Sequence, residues 1–150
     1  MSQVLIIKGE FLEGGDFKIL ARVTNHNRTV LTTVDLPSGG TMTVNLYDLS
    51  GSSPQTAIAT SGAIPSNVPI TNNLLGSNDG WTQDSIGANF LFVVCSTATV
   101  PTNYSGRGIV FPTGHPIGGH RYRVEALITT AQFGVVPVVA EALCRPVYSA

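Results

Sequence analysis

At 150 residues, with 43% hydrophobic and only 11% charged side chains, the chain suits one domain with a core of its own. A net charge of −1 excludes the basic stripe that nucleic-acid binding needs, and no apolar run approaches the ~20 residues of a membrane helix. Ordinary domains carry about a quarter of their residues as charges. The shortfall points to a chain whose surface is neutral or buried in an assembly.

In chain order, Val4 to Ile7 is apolar on both phases and breaks at Lys8, without the basic start of a signal peptide. The reading is therefore of a protein made in the cytosol. Glu13-Gly14-Gly15-Asp16 is a turn, and Phe17, Ile19, Ala21 and Val23 then alternate as a strand does. Thr24-Asn25-His26-Asn27 is a second turn, followed by an expected strand near Thr29 to Leu36 and a turn at Pro37-Ser38-Gly39-Gly40. Met42, Val44 and Leu46 alternate with Thr41, Thr43, Asn45 and Tyr47. No charged residue falls between Asp48 and Asp79, and that stretch reads as a long neutral loop with short apolar pieces such as Ala57-Ile58-Ala59 and Ile70.

Phe90 to Cys95 is apolar on both phases, the pattern of an interior strand or one covered on both faces. Thr97 to Gly119 is rich in Pro and Gly and reads as a second long loop. Tyr122, Val124, Ala126 and Ile128 alternate, Thr130 to Gly134 closes a final hairpin, and Val135 to Cys144 is the last strand. The expectation is an all-β fold over residues 1–150: a single antiparallel β-sandwich, Ig-like or jelly-roll-like, with long neutral loops.

Candidate chemistry is sparse. His26, His115 and His120 sit in turns and loops, outside nucleophile elbows, zinc spacings and helical i, i+4 pairs. Glu10, Glu13 and Asp16 cluster at a turn without a recognised calcium-loop pattern. Asp84, after Asn78-Asp79-Gly80, reads as an Asx-type turn leading into a strand. Arg121, Arg123 and Glu125 suggest a polar, salt-bridged sheet face. Cys95 and Cys144 lie in apolar runs and read as buried thiols, with a disulfide as the rival reading. The expectation is no catalytic set, no cofactor and no metal. Trp81, the only tryptophan, is expected in the core or at an interface, with sugar stacking as the rival reading.

Trp81-Thr82-x-Asp84-x-x-Gly87-x-Asn89-Phe90, then Phe111-Pro112-Thr113-Gly114, Tyr122-Arg123-Val124-Glu125 and Val136-Pro137-Val138-Val139-x-Glu141 form an ordered set. This order resembles small β-sandwich structural proteins of tailed bacteriophages, cyanophages among them, over roughly the C-terminal half. The resemblance implies a virion protein that decorates or cements the capsid, with a place in the neck, tail or baseplate as the alternative. It implies the major capsid protein or other virion proteins as partners, and a homo-oligomer, a trimer first, as the assembled form. A carbohydrate-binding surface module is a further alternative. Leu74, Leu75, Trp81, Ile109 and Phe111 are the candidate interface residues.

Overall fold

The computed structural model describes residues 6–24, 28–36, 41–64, 69–96, 108–132 and 134–147. Among the described residues nine strands run in chain order: β1 (Ile6–Leu12), β2 (Phe17–Ala21), β3 (Thr41–Asp48), β4 (Ala57–Ile64), β5 (Ile70–Leu75), β6 (Ala88–Cys95), β7 (Gly108–Val110), β8 (Arg121–Thr129) and β9 (Val135–Arg145). They form a five-stranded sheet, β1-β9-β8-β3-β4, and a smaller sheet, β2-β6-β5. β7 also pairs with β6, opposite Val93 to Cys95, on the edge that β5 uses opposite Ala88 and Phe90.

The all-β sandwich is the fold expected from period-two patterning. Both sheets are mixed, because β1 pairs with β9 and β6 with β7 in parallel, where antiparallel pairing was expected throughout. In strand order, β2-β6-β5 occupy the places of B-E-D in a variable-type immunoglobulin sandwich, and β9-β8-β3-β4 those of G-F-C-C′. Of the two connectivities expected, this is the immunoglobulin one. The turn at Glu13 to Asp16 is where the sequence puts it, yet the strands it joins enter different sheets.

The alternations decide which side chains meet. Phe17, Ile19 and Ala21 of β2, and Phe90, Phe92 and Val94 of β6, face Met42, Val44 and Leu46 of β3 in one core. Tyr122 to Ile128 of β8 and Val136 to Cys144 of β9 contribute their even-numbered residues to the same core. Phe11 stacks on Phe17 with ring centres 5.1 Å apart and on Phe111 at 5.7 Å. Each such buried apolar side chain stabilises the fold by roughly 1.5–3 kcal/mol relative to an exposed one. β6 is buried at all eight positions. Its odd-numbered Leu91, Val93 and Cys95 form a second, outer cluster with Leu20, Leu75 and Val110.

Two stretches differ from expectation. Residues 49–78 hold β4 and β5 rather than one long loop. β4 slips register twice against β3, and the Ser61 hydroxyl oxygen accepts the Val44 N–H at 2.9 Å at one slip. Such bulges blunt an edge strand that has no charge to protect it. Within Thr29 to Leu36 the chain makes a 3-10 turn (Thr33–Asp35) and one bridge between Thr24 and Val30 instead of a strand. The cause is local: the Asp35 carboxylate accepts the Thr32 N–H at 2.9 Å, and Asp35 N–H donates to the Thr32 carbonyl at 3.0 Å. That reciprocal closure favours a turn over an extended run. The expected turns at 25–27 and 37–40, the start of the Val4 run, and residues 97–107 lie outside the described residues.

Asn89 ties the sheets' connection together from inside. Fully buried on β6, it accepts the Val23 N–H at 2.6 Å and donates to the carbonyls of Val23 (2.9 Å) and Leu31 (2.7 Å). Its amide stands in for a neighbouring strand where β2 has ended. Asn89→Ala strands the Val23 N–H and the Leu31 carbonyl in the interior, while the Val23 carbonyl keeps the Leu31 N–H, at about 1–3 kcal/mol for each group left unsatisfied. The expected loss is about 2–4 kcal/mol in urea unfolding, and a native midpoint for the variant contradicts this role.

Candidate interaction surface

The connection from β5 to β6 is built around Trp81, Asp84 and Arg22. Asp84 Oδ1 accepts the Trp81 indole N–H at 3.0 Å and the backbone N–H of Ile86 (3.0 Å) and Gly87 (3.2 Å), the Asx-type turn expected there. Its other oxygen pairs with Arg22 of the segment after β2 at 2.6 Å. The guanidinium lies over the indole, 5.9 Å from the ring centre. The Arg22 and Trp81 hydrogen bonds hold the Asp84 carboxyl well below the usual carboxylate range. Gly87 closes the turn at φ +110°, where an added Cβ would stand 2.8 Å from the Leu75 carbonyl oxygen and 3.0 Å from Leu74 Cβ. Only glycine fits that approach.

Trp81 is thus half-buried on the surface, not a core plug, with one ring face against a cation. Around it the apolar surface is open. Leu74 is 42% exposed and Ile86 59%. Val34, 85% exposed, reaches the same margin because Asn72 of β5 bonds the Thr33 N–H at 3.0 Å. Leu75 is partly covered, packing on Leu91, Val93 and Cys95. Three of the expected interface residues, Leu74, Leu75 and Trp81, therefore come together.

The other two do not. Ile109 is partly buried against the main core, and Phe111 is 5% exposed, with its ring edge-on to Tyr122 at 5.3 Å. Phe111 is a core residue of this chain and leaves the interface set, because its ring is spent on Phe11 and Tyr122.

Charged residues also line the five-stranded sheet. Lys8, Glu10, Arg121, Arg123, Glu125, Glu141 and Arg145 stand on β1, β8 and β9. Arg123 bridges Glu125 (2.9 Å) and Glu141 (3.1 Å), the salt-bridged face expected from sequence, and Arg145 meets Glu10 at 3.1 Å. Burial opposes the Arg123 charge, but the bonds to the two glutamates outweigh it and raise its pKa. β4 and β5 hold no charged residue at all.

A polar cluster missed by sequence reading lies at the start of β8. Asp48, 4% exposed at the end of β3, meets His120 Nδ1 at 2.9 Å and accepts the Ser50 N–H at 3.0 Å. His115 Nδ1 is 2.8 Å from the Tyr122 hydroxyl and 3.8 Å from Asp48. The phenol oxygen accepts the Ile117 N–H at 2.8 Å. One assignment satisfies these contacts together: the phenol donates to His115 Nδ1, and His120 Nδ1–H donates to Asp48. A tyrosine near the start of this strand, bonded to backbone a few residues upstream, is the corner found in immunoglobulin-type sandwiches. The bonds pin the 112–120 connection to β3 and β8. Among the described residues no group of histidine, cysteine, aspartate and glutamate side chains is arranged to hold a metal. His26 lies outside the described residues, and Cys95 and Cys144 are free, buried thiols with pKa raised by burial.

No protein-family model, curated protein or solved structure matches the chain.

Burial pushes the Tyr122 phenol from 10.0 up to about 12, with the Ile117 hydrogen bond pulling the other way and the Asp48 and Cys144 charges adding to the rise. The folded state therefore keeps a proton that the unfolded chain releases near pH 10. This contribution is fully present below pH 10 and is lost as pH climbs towards 12, at about 1.4 kcal/mol per pH unit. The stability gap between wild type and Tyr122→Phe should narrow by roughly 2–3 kcal/mol between pH 9 and 12. A constant gap in denaturant melts across that range contradicts the assignment.

Proposed function

We propose that this chain is a virion structural protein of the capsid-decoration or cement type, which acts by docking on an assembled shell. The observation that carries the reading is the contrast between the two sides of the sandwich. Strands β4 and β5 hold no charged residue, and beside them exposed Val34, Leu74 and Ile86 flank a Trp–Arg stack whose cation is paired with Asp84. Tryptophan and arginine are the residue types most enriched where interfaces concentrate their energy, and charge is depleted at interface centres. On the face of β1, β9 and β8, Arg123 is paired with Glu125 and Glu141, and Arg145 with Glu10.

The mechanism is linkage. A protein that binds only the closed shell stabilises that shell by mass action, with no chemical step. Trimers at three-fold positions fit this role, and the partner is the major capsid protein. The resemblance of the ordered motifs between Trp81 and Glu141 to phage sandwich proteins supports the same assignment.

Particles stripped of the protein should lose resistance to heat, and adding back the purified chain should restore it. Leu74→Lys with Ile86→Lys should weaken rebinding by about 2 kcal/mol or more. Surface changes of this kind leave the chain's own stability within about 0.5 kcal/mol. Particles that are equally heat-resistant with and without the protein contradict cementing. Rings of six or twelve by light scattering favour a neck or tail site instead.

A further inference from the structure

Trp81 is held at more points than a half-buried side chain on a surface connection needs. Its backbone N–H donates to the Gly76 carbonyl at 3.2 Å, and its indole N–H to Asp84 Oδ1 at 3.0 Å. The same oxygen takes the Ile86 and Gly87 N–H groups, so the ring and the turn share one anchor. The other carboxylate oxygen meets the Arg22 guanidinium, which comes from the segment after β2 and lies over the indole. Ring, carboxylate and guanidinium thus close a triangle in which each member meets the other two. The triangle ties the two flanks of β6 together, because Arg22 follows β2 and Trp81 follows β5.

We infer that Asp84 is the positioning residue of this margin: it sets the angle of Trp81, so that the indole is presented ready-formed to an uncharged apolar recess on the shell protein. The inference rests on the docking role proposed above and adds the residue that prepares the anchor and the chemistry that receives it. The one polar atom of the indole is already bonded, so carbon is all that the exposed part of the ring offers a partner. The guanidinium on its face is matched by Asp84, so the stack asks for no carboxylate from the other side. Leu74 and Ile86, exposed nearby, extend the same apolar contact. A side chain that is immobilised only on binding weakens association by about two- to tenfold, and the triangle removes that loss beforehand.

The test compares Asp84→Ala and Asp84→Asn with the unaltered full chain in two measurements. Fluorescence anisotropy decay of the free chain reads the motion of Trp81, its only tryptophan. Rebinding of the labelled chain to particles stripped of the protein reads docking. Asp84→Ala should add a fast component, nanoseconds or shorter, to the decay and weaken rebinding by about two- to tenfold. Asp84→Asn keeps an oxygen for the indole and the turn but loses the charge that holds Arg22, so it should fall between the two and stays readable if the alanine variant does not fold. A ring that stays immobile in a folded Asp84→Ala chain overturns the inference. So does a mobile ring with unchanged rebinding; if Leu74→Lys with Ile86→Lys still weakens rebinding, the docking role survives that result. Rebinding that is indifferent to all of these substitutions overturns the docking surface and this inference together.

Discussion

Strand β6 must be kept from water on both faces, and the rest of the sandwich follows from that demand. Phe90, Phe92 and Val94 require the five-stranded sheet across from them, and Leu91, Val93 and Cys95 require cover on the other side. An eight-residue strand without an exposed position cannot stand at a sheet edge. β2 takes one flank, and β5 with β7 shares the other. Asn89, the one amide in this apolar strand, is tolerated because all of its recorded bonds go to backbone that has run out of strand partners.

The same economy of polar groups separates the two sides of the molecule. On the five-stranded sheet, β8 and β9 hold Arg123 between Glu125 of its own strand and Glu141 of the next. The β4–β5 side relies on bulges, hydroxyls and asparagine bonds, with Ser61 mending the β4 ladder and Asn72 tying down the Thr33 turn. Neutral surface of that kind has little to oppose association with another neutral surface. At its end Asp84 holds three backbone or indole donors and the Arg22 guanidinium at once, which fixes Trp81 in place.

Much of this was legible in the residues. The two-phase apolar run at Phe90 to Cys95 foretells a strand buried on both faces, and the alternation from Tyr122 to Ile128 foretells one with a polar face. β4 and β5 were illegible because Ala-Ile-Ala-Thr-Ser-Gly-Ala-Ile carries no period and no charge to mark a face. The Thr32 to Asp35 closure was legible in principle, since a threonine three residues before an acid is a turn signal. The clamp of Asp48 on His120 spans 72 residues and has no local pattern. Phe111 looked like interface because it sits in a Pro- and Gly-rich stretch, yet the parallel pairing of β7 with β6 brings that stretch to the core.

On the proposed function, the apolar margin of Leu74, Trp81 and Ile86 is covered in the assembled particle. Hydroxyl-radical footprinting of the chain, free and in the particle it is proposed to join, tests this most directly. Trp81, Leu74 and Ile86 should lose reactivity on incorporation, while Leu127 and Val135, exposed on β8 and β9, keep theirs. Protection of Leu127 and Val135 with Trp81 unchanged would contradict the account.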